Sequence, residues 1–450
     1  MVRRILVANR GEIAVRVLVA CQRLGIEAVL AASEADLGSV PARLADRTVC
    51  LGPPPLAESY LNIQAVVAAA AAAGCDAIHP GYGFLSENPG LAHACAAAGL
   101  VFIGPPAAQL ELAGDKLAAR EQAAAAGLPV LPGGEVATAA QAQSLAAGIG
   151  WPVLIKAAGG GGGRGLRPAH SPAELATAAG QAAAEARAAF GDPRIYLERF
   201  VPAARHVEVQ LLGDGERVIH ASDRDCSVQR RYQKVAEEAP APALAEGLRA
   251  EIHDAAVAFG SRLGYRGLGT VEFLVDPRAG TFYFLEMNAR IQVEHPVTEQ
   301  VCGLDLVAEQ IALAEGRPLS LAQEEITVTG HAIEFRICAE DAHGRPAPGT
   351  VTRAVFPAGP GIRVDTGIQA GSAVPPFYDS LLAKLIVTGD GRAAAVTRLR
   401  RALAACEIDG VATNLPQLAS LAGDPGFVAG GADTGLLARL TGRTAAAAHG

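Results

Sequence analysis

The first hundred residues alternate short apolar runs with amphipathic stretches that each end at a glycine, and this alternation restricts the fold more than any other feature. Residues 5–8 read as a buried strand, 11–24 as an amphipathic helix closed by Gly25, and 27–31 as the next strand. Residues 61–73 read as a helix stopped by Gly74, followed by the strand Ala77-Ile78 and a break at Pro80. Residues 89–98 read as a helix stopped by Gly99, before a strand at 100–103. Glycine takes the left-handed conformation that ends a helix without a steric penalty. Repeated strand–helix units of this kind build a parallel sheet with helices on both faces. A dinucleotide site does not follow, because the first helix opens with Asn9-Arg10-Gly11-Glu12 and not with Gly-x-Gly-x-x-Gly.

At about 150 residues per domain, 450 residues suggest three domains, or two with one enlarged. The next stretch, about 107–127, reads as helical and alanine-rich, and 129–134 as a hinge. Strand-like runs follow at 153–156, 195–200, 206–212, 218–222, 269–275, 281–288 and 332–339, with helices at 173–190 and 393–405. The tail 444–450 reads as frayed.

Charge excludes several classes of partner. The formal charge of −8 argues against a general nucleic-acid or anionic-membrane binder, and 4% aromatic residues leave little for base stacking. No strongly apolar window reaches the length of a membrane span, and Met1 runs directly into a strand with no signal-peptide core. Eight cysteines lie far apart and never form Cys-x-x-Cys, which speaks against a zinc knuckle and a disulfide framework. The expectation is a reduced, cytoplasmic protein.

The segment Val153-Leu154-Ile155-Lys156-Ala157-Ala158, continuing into five successive glycines at 159–163 and then Arg164-Gly165, is the most informative by shape. Backbone without Cβ atoms lets phosphate oxygens approach and turns successive N–H groups toward them. Lys156 adds a point charge. A flexible linker is the alternative, but linkers usually mix in serine and seldom issue from an apolar strand. The segment is not a Walker A loop, since its lysine precedes the glycines.

A second constellation is a hairpin, residues 270–275 and 282–288 around the turn Asp276-Pro277-Arg278-Ala279-Gly280. Symmetric pairing about residue 279 sets Glu272 opposite Glu286 on one face. Carboxylates so placed repel unless a cation or proton lies between them, and an oxygen-only donor set suits Mg²⁺. Asn288 shares the face of Glu286 and offers a third oxygen. Solvated charge on an exposed sheet face remains the competing explanation. The strand is expected to continue through 290–296, where period-two alternation points Arg290, Gln292 and Glu294 one way, suited to holding a small anion and taking its proton, or to a cross-strand ion network. Pro296 then ends the ladder. Lys234 is a candidate anion ligand, and the loop 79–88 follows the carboxyl end of a parallel strand, where ligands of open α/β sheets bind.

These segments together resemble biotin carboxylase, the ATP-grasp component of biotin-dependent carboxylases. The resemblance runs from Arg3 to about Asn414 and rests on Ala8-Asn9-Arg10-Gly11-Glu12-Ile13-Ala14, 79–88, Gly114-Asp115-Lys116, 156–165, 229–242, 286–299 and Tyr378-Asp379-Ser380. It implies a mixed α/β and α+β chain of ATP-grasp fold. Residues 1–112 would form a Rossmann-like α/β domain, 113–128 a helical linker, 129–201 a mobile glycine-rich lid, and 202–450 a larger, β-rich C-terminal domain. The implied reaction joins bicarbonate to biotin at the expense of ATP through carboxyphosphate, with Mg²⁺ or Mn²⁺.

The resemblance also implies roles at matching positions. Lys116, Lys156, His206 and the hinge strand Glu198, Arg199, Phe200 and Val201 look like nucleotide ligands, with Gln229, Tyr232 and Leu274 beside them and Gly162 and Gly163 over the phosphates. Glu272, Glu286 and Asn288 look like the metal site. Lys234, Arg290, Gln292 and the Val293 backbone resemble a bicarbonate pocket, Glu294 the base, and Arg336 the cation facing a biotin enolate, with Tyr82 and Gly83 beside the ureido ring. Tyr232 stands where the family usually has histidine, and Cys338 where it usually has asparagine. Arg16 and Arg363 keep the family's dimer-contact pattern, whereas Val19, Arg23 and Pro360 do not. The only methionines are Met1 and Met287, so the Met-Lys-Met biotin-acceptor motif is absent. The expectation is that the chain acts on a separate biotin carboxyl carrier protein, or is a fragment of a longer polypeptide; the resemblance further implies a carboxyltransferase subunit and a second copy of the chain as partners. Another ATP-grasp ligase, or a catalytically silent carboxylase scaffold, is the alternative.

Overall fold

The computed structural model describes residues 2–157, 166–190, 194–440 and 442. Its first sheet holds Arg4–Val7 (β1), Glu27–Ser33 (β2), Arg47–Gly52 (β3), Ala77–His79 (β4) and Val101–Phe102 (β5) in the order β3-β2-β1-β4-β5. Every pairing in it is parallel. Alternation within β1 shows why helices cover both faces: Ile5 and Val7 pack with the helix Gly11–Leu24, whereas Leu6 packs with Val66, Ala70 and Leu91 of the helices Ile63–Ala72 and Pro89–Ala97. Gly25 and Gly74 end their helices with φ of +69° and +67°. Sequence reading missed β3, whose residues are mostly half-exposed and give no apolar run.

Strand order reverses beside β1, and the loops after β1 and β4 meet there. Asn9 Nδ2 donates to the carbonyls of Pro80 (2.6 Å) and Tyr82 (2.8 Å), tying the two loops together. In open parallel sheets such a switch point is where a ligand crevice forms.

A second, antiparallel sheet contains Gly133–Val136 (β6), Val153–Ala157 (β7), Arg167–Ala169 (β8) and Ile195–Arg199 (β9), in the order β6-β9-β7-β8. The glycine tract, including Gly162 and Gly163, lies outside the described residues.

The largest sheet has eight strands: Arg205–Asp214 (β10), Val218–Arg230 (β11), Gln233–Ala239 (β12), Arg266–Asp276 (β13), Thr281–Asn288 (β14), His331–Cys338 (β15), Ile362–Thr366 (β18) and Leu381–Gly389 (β20). The intervening numbers belong to two small ladders, Gly349–Thr350 (β16) with Ala373–Val374 (β19), and Arg353–Val355 (β17) with Glu407–Asp409 (β21). The order of the large sheet is β14-β13-β10-β11-β12-β15-β20-β18. On one face Val207, Val209, Val271 and Phe273 pack against Ile252, Ala256 and Phe259 of the helix Glu246–Arg262. Each large apolar side chain fully buried there contributes about 1.5–3 kcal/mol.

The opposite face is polar. From β10 to β13 it carries His206, Glu208 and Gln210 opposite Leu274, Glu272 and Thr270. β11 is far longer than its apolar start at 218–222 suggests, because Asp223, Arg224, Asp225, Ser227 and Gln229 are all buried and paired. Buried polar residues carry no hydrophobic period, so pattern reading stopped too early.

Candidate active site

The facing carboxylates of the β13–β14 hairpin are present, by a route that symmetric pairing does not describe. Near the turn, Asp276 pairs with Thr281 and Phe273 with Phe284, a register that would set Glu272 opposite Leu285. A bulge between Glu272 and Phe273 shifts the pairing by one residue, so Glu272 faces Glu286, Val271 faces Met287 and Thr270 faces Asn288. The burial pattern carries the same mark, since Phe282, Phe284 and then Met287 are buried while Leu285 and Glu286 are both half-exposed. Bulges re-aim side chains in this way beside sites.

The two acids hold different partners. Glu286 Oε2 lies 3.1 Å from Lys116 Nζ, at the start of the helix Lys116–Ala125. Glu272 is almost fully buried, with Oε1 accepting from Lys234 Nζ (2.8 Å), Asn288 Nδ2 (3.0 Å) and Gln292 Nε2 (3.3 Å), and Oε2 3.0 Å from His206 Nε2. Burial opposes its ionisation, but Lys234 and His206 hold it well below the usual carboxylate range. Gln229 Nε2 lies 2.9 Å from His206 Nδ1, fixing that ring. Glu272, Glu286 and the Asn288 amide form an oxygen donor set that fits Mg²⁺ or Mn²⁺. His206, Glu208 and Glu272 also place ligand atoms within 4.8 Å of one another.

Residues 290–294 correct the expected strand. β14 ends at Asn288, and a loop leads to the helix His295–Cys302, in which Pro296 occupies the first turn. Proline here starts a helix. Arg290, Gln292 and Glu294 nevertheless converge, because the loop buries Ile291 in the core and turns the polar side chains back over the sheet. Arg290 donates to Glu87 Oε2 (2.8 Å), Gln292 Oε1 (2.8 Å) and Asn288 Oδ1 (2.9 Å).

Glu294 is fully buried, as are Glu208 and Glu237 beside it. Its Oε1 accepts from Lys234 Nζ at 2.6 Å and its Oε2 from Arg336 Nη2 at 2.9 Å. Burial pushes its carboxyl up, while Lys234, Arg336 and Arg224 outweigh burial and hold it well below the ordinary value. Lys234 Nζ also donates to Glu208 Oε2 at 2.6 Å, so three carboxylates surround one ammonium. Arg336 also reaches Glu237 Oε1 at 2.5 Å.

Lys156 projects from β7, ion-paired to Glu198 of β9 and with its ammonium 5.8 Å from the Tyr196 ring centre. Val201 joins Leu131 and Ala204 in a small apolar cluster against which Leu274 and Tyr283 pack. Arg199 is exposed and Phe200 half-buried. Tyr232 sits in the two-residue turn between β11 and β12 with φ of +65°, next to Arg231 at +52°. Both central residues of that turn are therefore left-handed, a conformation usually left to Asn and Gly. Tyr82 and Gly83 line a cleft with Gly11, Glu12, Asp379 and Leu381. The Tyr82 hydroxyl donates to Glu12, and burial followed by the Glu12 charge raises its ionisation well above the ordinary phenol.

Sequence reading missed Glu208, Arg224 and Glu237. The first two were legible as the polar phase of a strand, His206-Val207-Glu208-Val209-Gln210, and as an Arg set between two acids in its neighbour, Asp223-Arg224-Asp225. Arg224 is fully enclosed by Glu208 (2.5 Å), Gln210 (2.8 Å), Thr298 (2.9 Å) and Thr270 (3.0 Å). All eight cysteines are free, and among the described residues no helix is long and apolar enough to cross a membrane.

Comparison with known proteins accounts for this arrangement along the whole chain. Residues 1–110 match the model of the biotin carboxylase N-terminal domain and 334–439 that of the biotin carboxylase C-terminal domain. Between them, residues 115–322 match the ATP binding domain of the carbamoyl-phosphate synthase L chain. A biotin carboxylase from Nostoc sp. is 48% identical over 442 residues, 97% of this chain and 99% of that protein. The biotin carboxylase of Campylobacter jejuni, solved as a complex named for β,γ-ATP, superposes with a TM-score of 0.95 at 44% identity, covering 98% of this chain and 99% of the other. The biotin carboxylase domain dimer of Hydrogenobacter thermophilus 2-oxoglutarate carboxylase, solved with MgADP, ADP and bicarbonate, gives 0.95 at 43% identity, covering 98% of each chain. A sheet that sets paired acids beside a gripped glutamate, on a chain matched end to end in this way, has one reading: the chain belongs to the biotin carboxylase family of ATP-dependent ligases.

Proposed function

We propose that this chain carboxylates biotin, borne on a separate carrier protein, using ATP and bicarbonate, as a component of an acetyl-CoA or other acyl-CoA carboxylase. One observation carries the assignment: the buried Glu294 carboxylate is held between Lys234 and Arg336 on the same sheet face that presents Glu272.

Lys234, Arg290, Gln292 and the Val293 backbone take bicarbonate. In the ligand-free arrangement Lys234 and Arg336 keep Glu294 ionised. A bound anion competes for Lys234, which relaxes that hold and moves Glu294 toward the basicity a general base needs. Glu294 then accepts the bicarbonate proton, a bicarbonate oxygen attacks the γ-phosphorus, and ADP leaves. The carboxyphosphate formed splits into CO₂ and phosphate. Arg336 stabilises the enolate of the ureido group, whose nitrogen takes up CO₂ while the released phosphate accepts its proton. Lys116, Lys156, His206, Gln229 and the hinge 198–201 hold the nucleotide, with Tyr232 and Leu274 at its edge. Glu272, Glu286 and Asn288 hold Mg²⁺ or Mn²⁺, which neutralises phosphate charge when bound.

In this reading residues 1–112 supply Tyr82 and Gly83 as a wall for the ureido ring, and 113–128 link onward. Residues 129–201, with Gly162 and Gly163, close over the phosphates, which protects carboxyphosphate from water. Residues 202–450 carry the chemistry. The reading also has the chain pairing with a second copy and serving a carboxyltransferase subunit in the cytoplasm.

The test is ADP release from purified protein with bicarbonate, with and without free biotin. Bicarbonate-dependent turnover accelerated by biotin supports the proposal. Turnover indifferent to biotin points to another ATP-grasp ligase, and no turnover points to a silent scaffold. Arg336→Ala is expected to lose the biotin acceleration.

A further inference from the structure

Lys384 lies in the middle of the apolar strand β20 and is completely buried, yet neither the nucleotide, metal, bicarbonate nor enolate assignments use it. It stands between Arg336 on β15 and Asp365 on β18, its direct partners in the ladder. Its ammonium makes one hydrogen bond and two ion pairs. Nζ donates to the Val293 carbonyl at 2.8 Å, lies 3.0 Å from Glu12 Oε2, and lies 3.8 Å from Asp365 Oδ2.

Two of these contacts lead to different substrates. The Val293 carbonyl belongs to the peptide that delivers Glu294, so holding it fixes the base and the adjoining anion pocket. Glu12 accepts from the Tyr82 hydroxyl through its other oxygen, so holding Glu12 fixes the aromatic ring at the switch-point cleft. Val293 and Tyr82 belong to separate parts of the chain, one following β14 and the other following β4. A buried ammonium is costly unless each of its protons has an acceptor. Here the acceptors are the Val293 carbonyl of one loop, Asp365 on β18, and Glu12 of the helix Gly11–Leu24, which in turn holds the Tyr82 hydroxyl of the other loop, so a shift of Val293 or of Glu12 leaves a buried charge short of a partner.

We propose that Lys384 is a positioning residue that braces the bicarbonate loop and the biotin-side loop against each other, Glu12 being its arm toward Tyr82. This rests on the function proposed above. The brace extends outward, since Asp365 accepts from Arg363 Nε (2.7 Å), Arg363 donates to Glu299 (2.7 Å), and Glu299 accepts from Arg16 (2.6 Å). Four charged residues thus tie the brace to the helices Gly11–Leu24 and His295–Cys302.

Steady-state ADP release separates the arms. In Lys384→Met, of similar length and without charge, KM for both bicarbonate and biotin should rise about tenfold or more, with KM for ATP within about twofold of the parent. In Glu12→Gln, which leaves the Lys384–Val293 contact in place, only KM for biotin should rise. A merely structural role would depress all three substrates together or lower the melting temperature with kinetics of the folded fraction unchanged. Either result overturns the brace, as does Glu12→Gln raising KM for bicarbonate as much as KM for biotin. If Lys384→Met fails to fold, Glu12→Gln alone decides, and an unchanged KM for biotin overturns the proposal. A parent protein whose ATP turnover ignores biotin instead overturns the underlying function, so the two failures are distinct.

Discussion

Glu294 and Lys234 lie 2.6 Å apart, the carboxylate almost fully out of solvent and the lysine partly buried, and the same ammonium is shared with Glu208 and Glu272. A lysine divided among three acids is a loaded position. Any anion entering the pocket changes the partner count of every acid around it.

That sharing makes Glu294 the residue whose loss should be felt most in the chemistry. Glu294→Gln keeps the shape and removes the proton acceptor. Its kcat for bicarbonate-dependent ADP release should fall by about 10²–10⁴-fold, with ATP binding, followed by equilibrium titration, nearly unchanged. A kcat within threefold of the parent would remove Glu294 from the role of base.

Metal dependence tests the paired acids. Glu286→Gln leaves Glu272 facing an amide and releases Lys116 from its ion pair. The Mg²⁺ concentration giving half-maximal turnover should rise about tenfold or more, a loss of about 1.4 kcal/mol or greater. An Mg²⁺ titration superposing on that of the parent would place the ion elsewhere.

Arg224 makes a stability prediction. It is wholly enclosed and meets Glu208, Gln210, Thr270 and Thr298. Arg224→Leu leaves Glu208 short of one cation and should cost about 3–5 kcal/mol, read as a lower urea midpoint at unchanged slope. Loss of less than 1 kcal/mol would mean that water or Lys234 compensates.

His79 supplies a pH prediction. Burial, and then the Arg16 charge, lower its imidazole to about 3, against an ordinary value near 6.5. The unfolded chain therefore binds the proton more readily than the folded one. The stabilisation is complete above pH 6.5 and is lost progressively as pH falls toward 3. Its Nδ1 accepts from the Gly81 N–H at 3.0 Å, which shapes the turn carrying Tyr82. Asparagine offers an oxygen for the same contact, so melting temperatures of His79→Asn should fall less steeply than those of the parent between pH 6.5 and 4. Parallel curves would show that this ring does not govern acid stability.

Much of this architecture was legible in the sequence where local rules act alone. The parallel sheet followed from glycine-ended helices, and the paired acids from the hairpin. The hairpin also shows the limit. Glu272 and Glu286 were matched by assuming symmetry, whereas the ladder reaches that match through a bulge that only a three-residue step in buried positions, Phe284 to Met287, discloses. The polar alternation of residues 290–296 is real and predicts a strand, but Pro296 lies in the first turn of a helix. The ends of β11 and all of β12 were hidden because Arg224 and Glu237 are buried by pairing and not by hydrophobicity. Lys384 escaped notice for the same reason, as one charge in a strand otherwise suited to the core.

The eight-stranded order, running from the acids on β14 and β13 through Lys234 on β12 to Arg336 on β15, has a consequence for how an unstable intermediate travels. Neighbouring strands are spaced about 4.8 Å apart and locked in register, so the stations of the reaction stand at fixed intervals on one unyielding floor. On the proposed assignments, CO₂ released beside Lys234 on β12 need cross about one strand width to reach Arg336 on the adjacent β15. The ladder hydrogen bonds between β12 and β15 set the length of that track, whatever covers it.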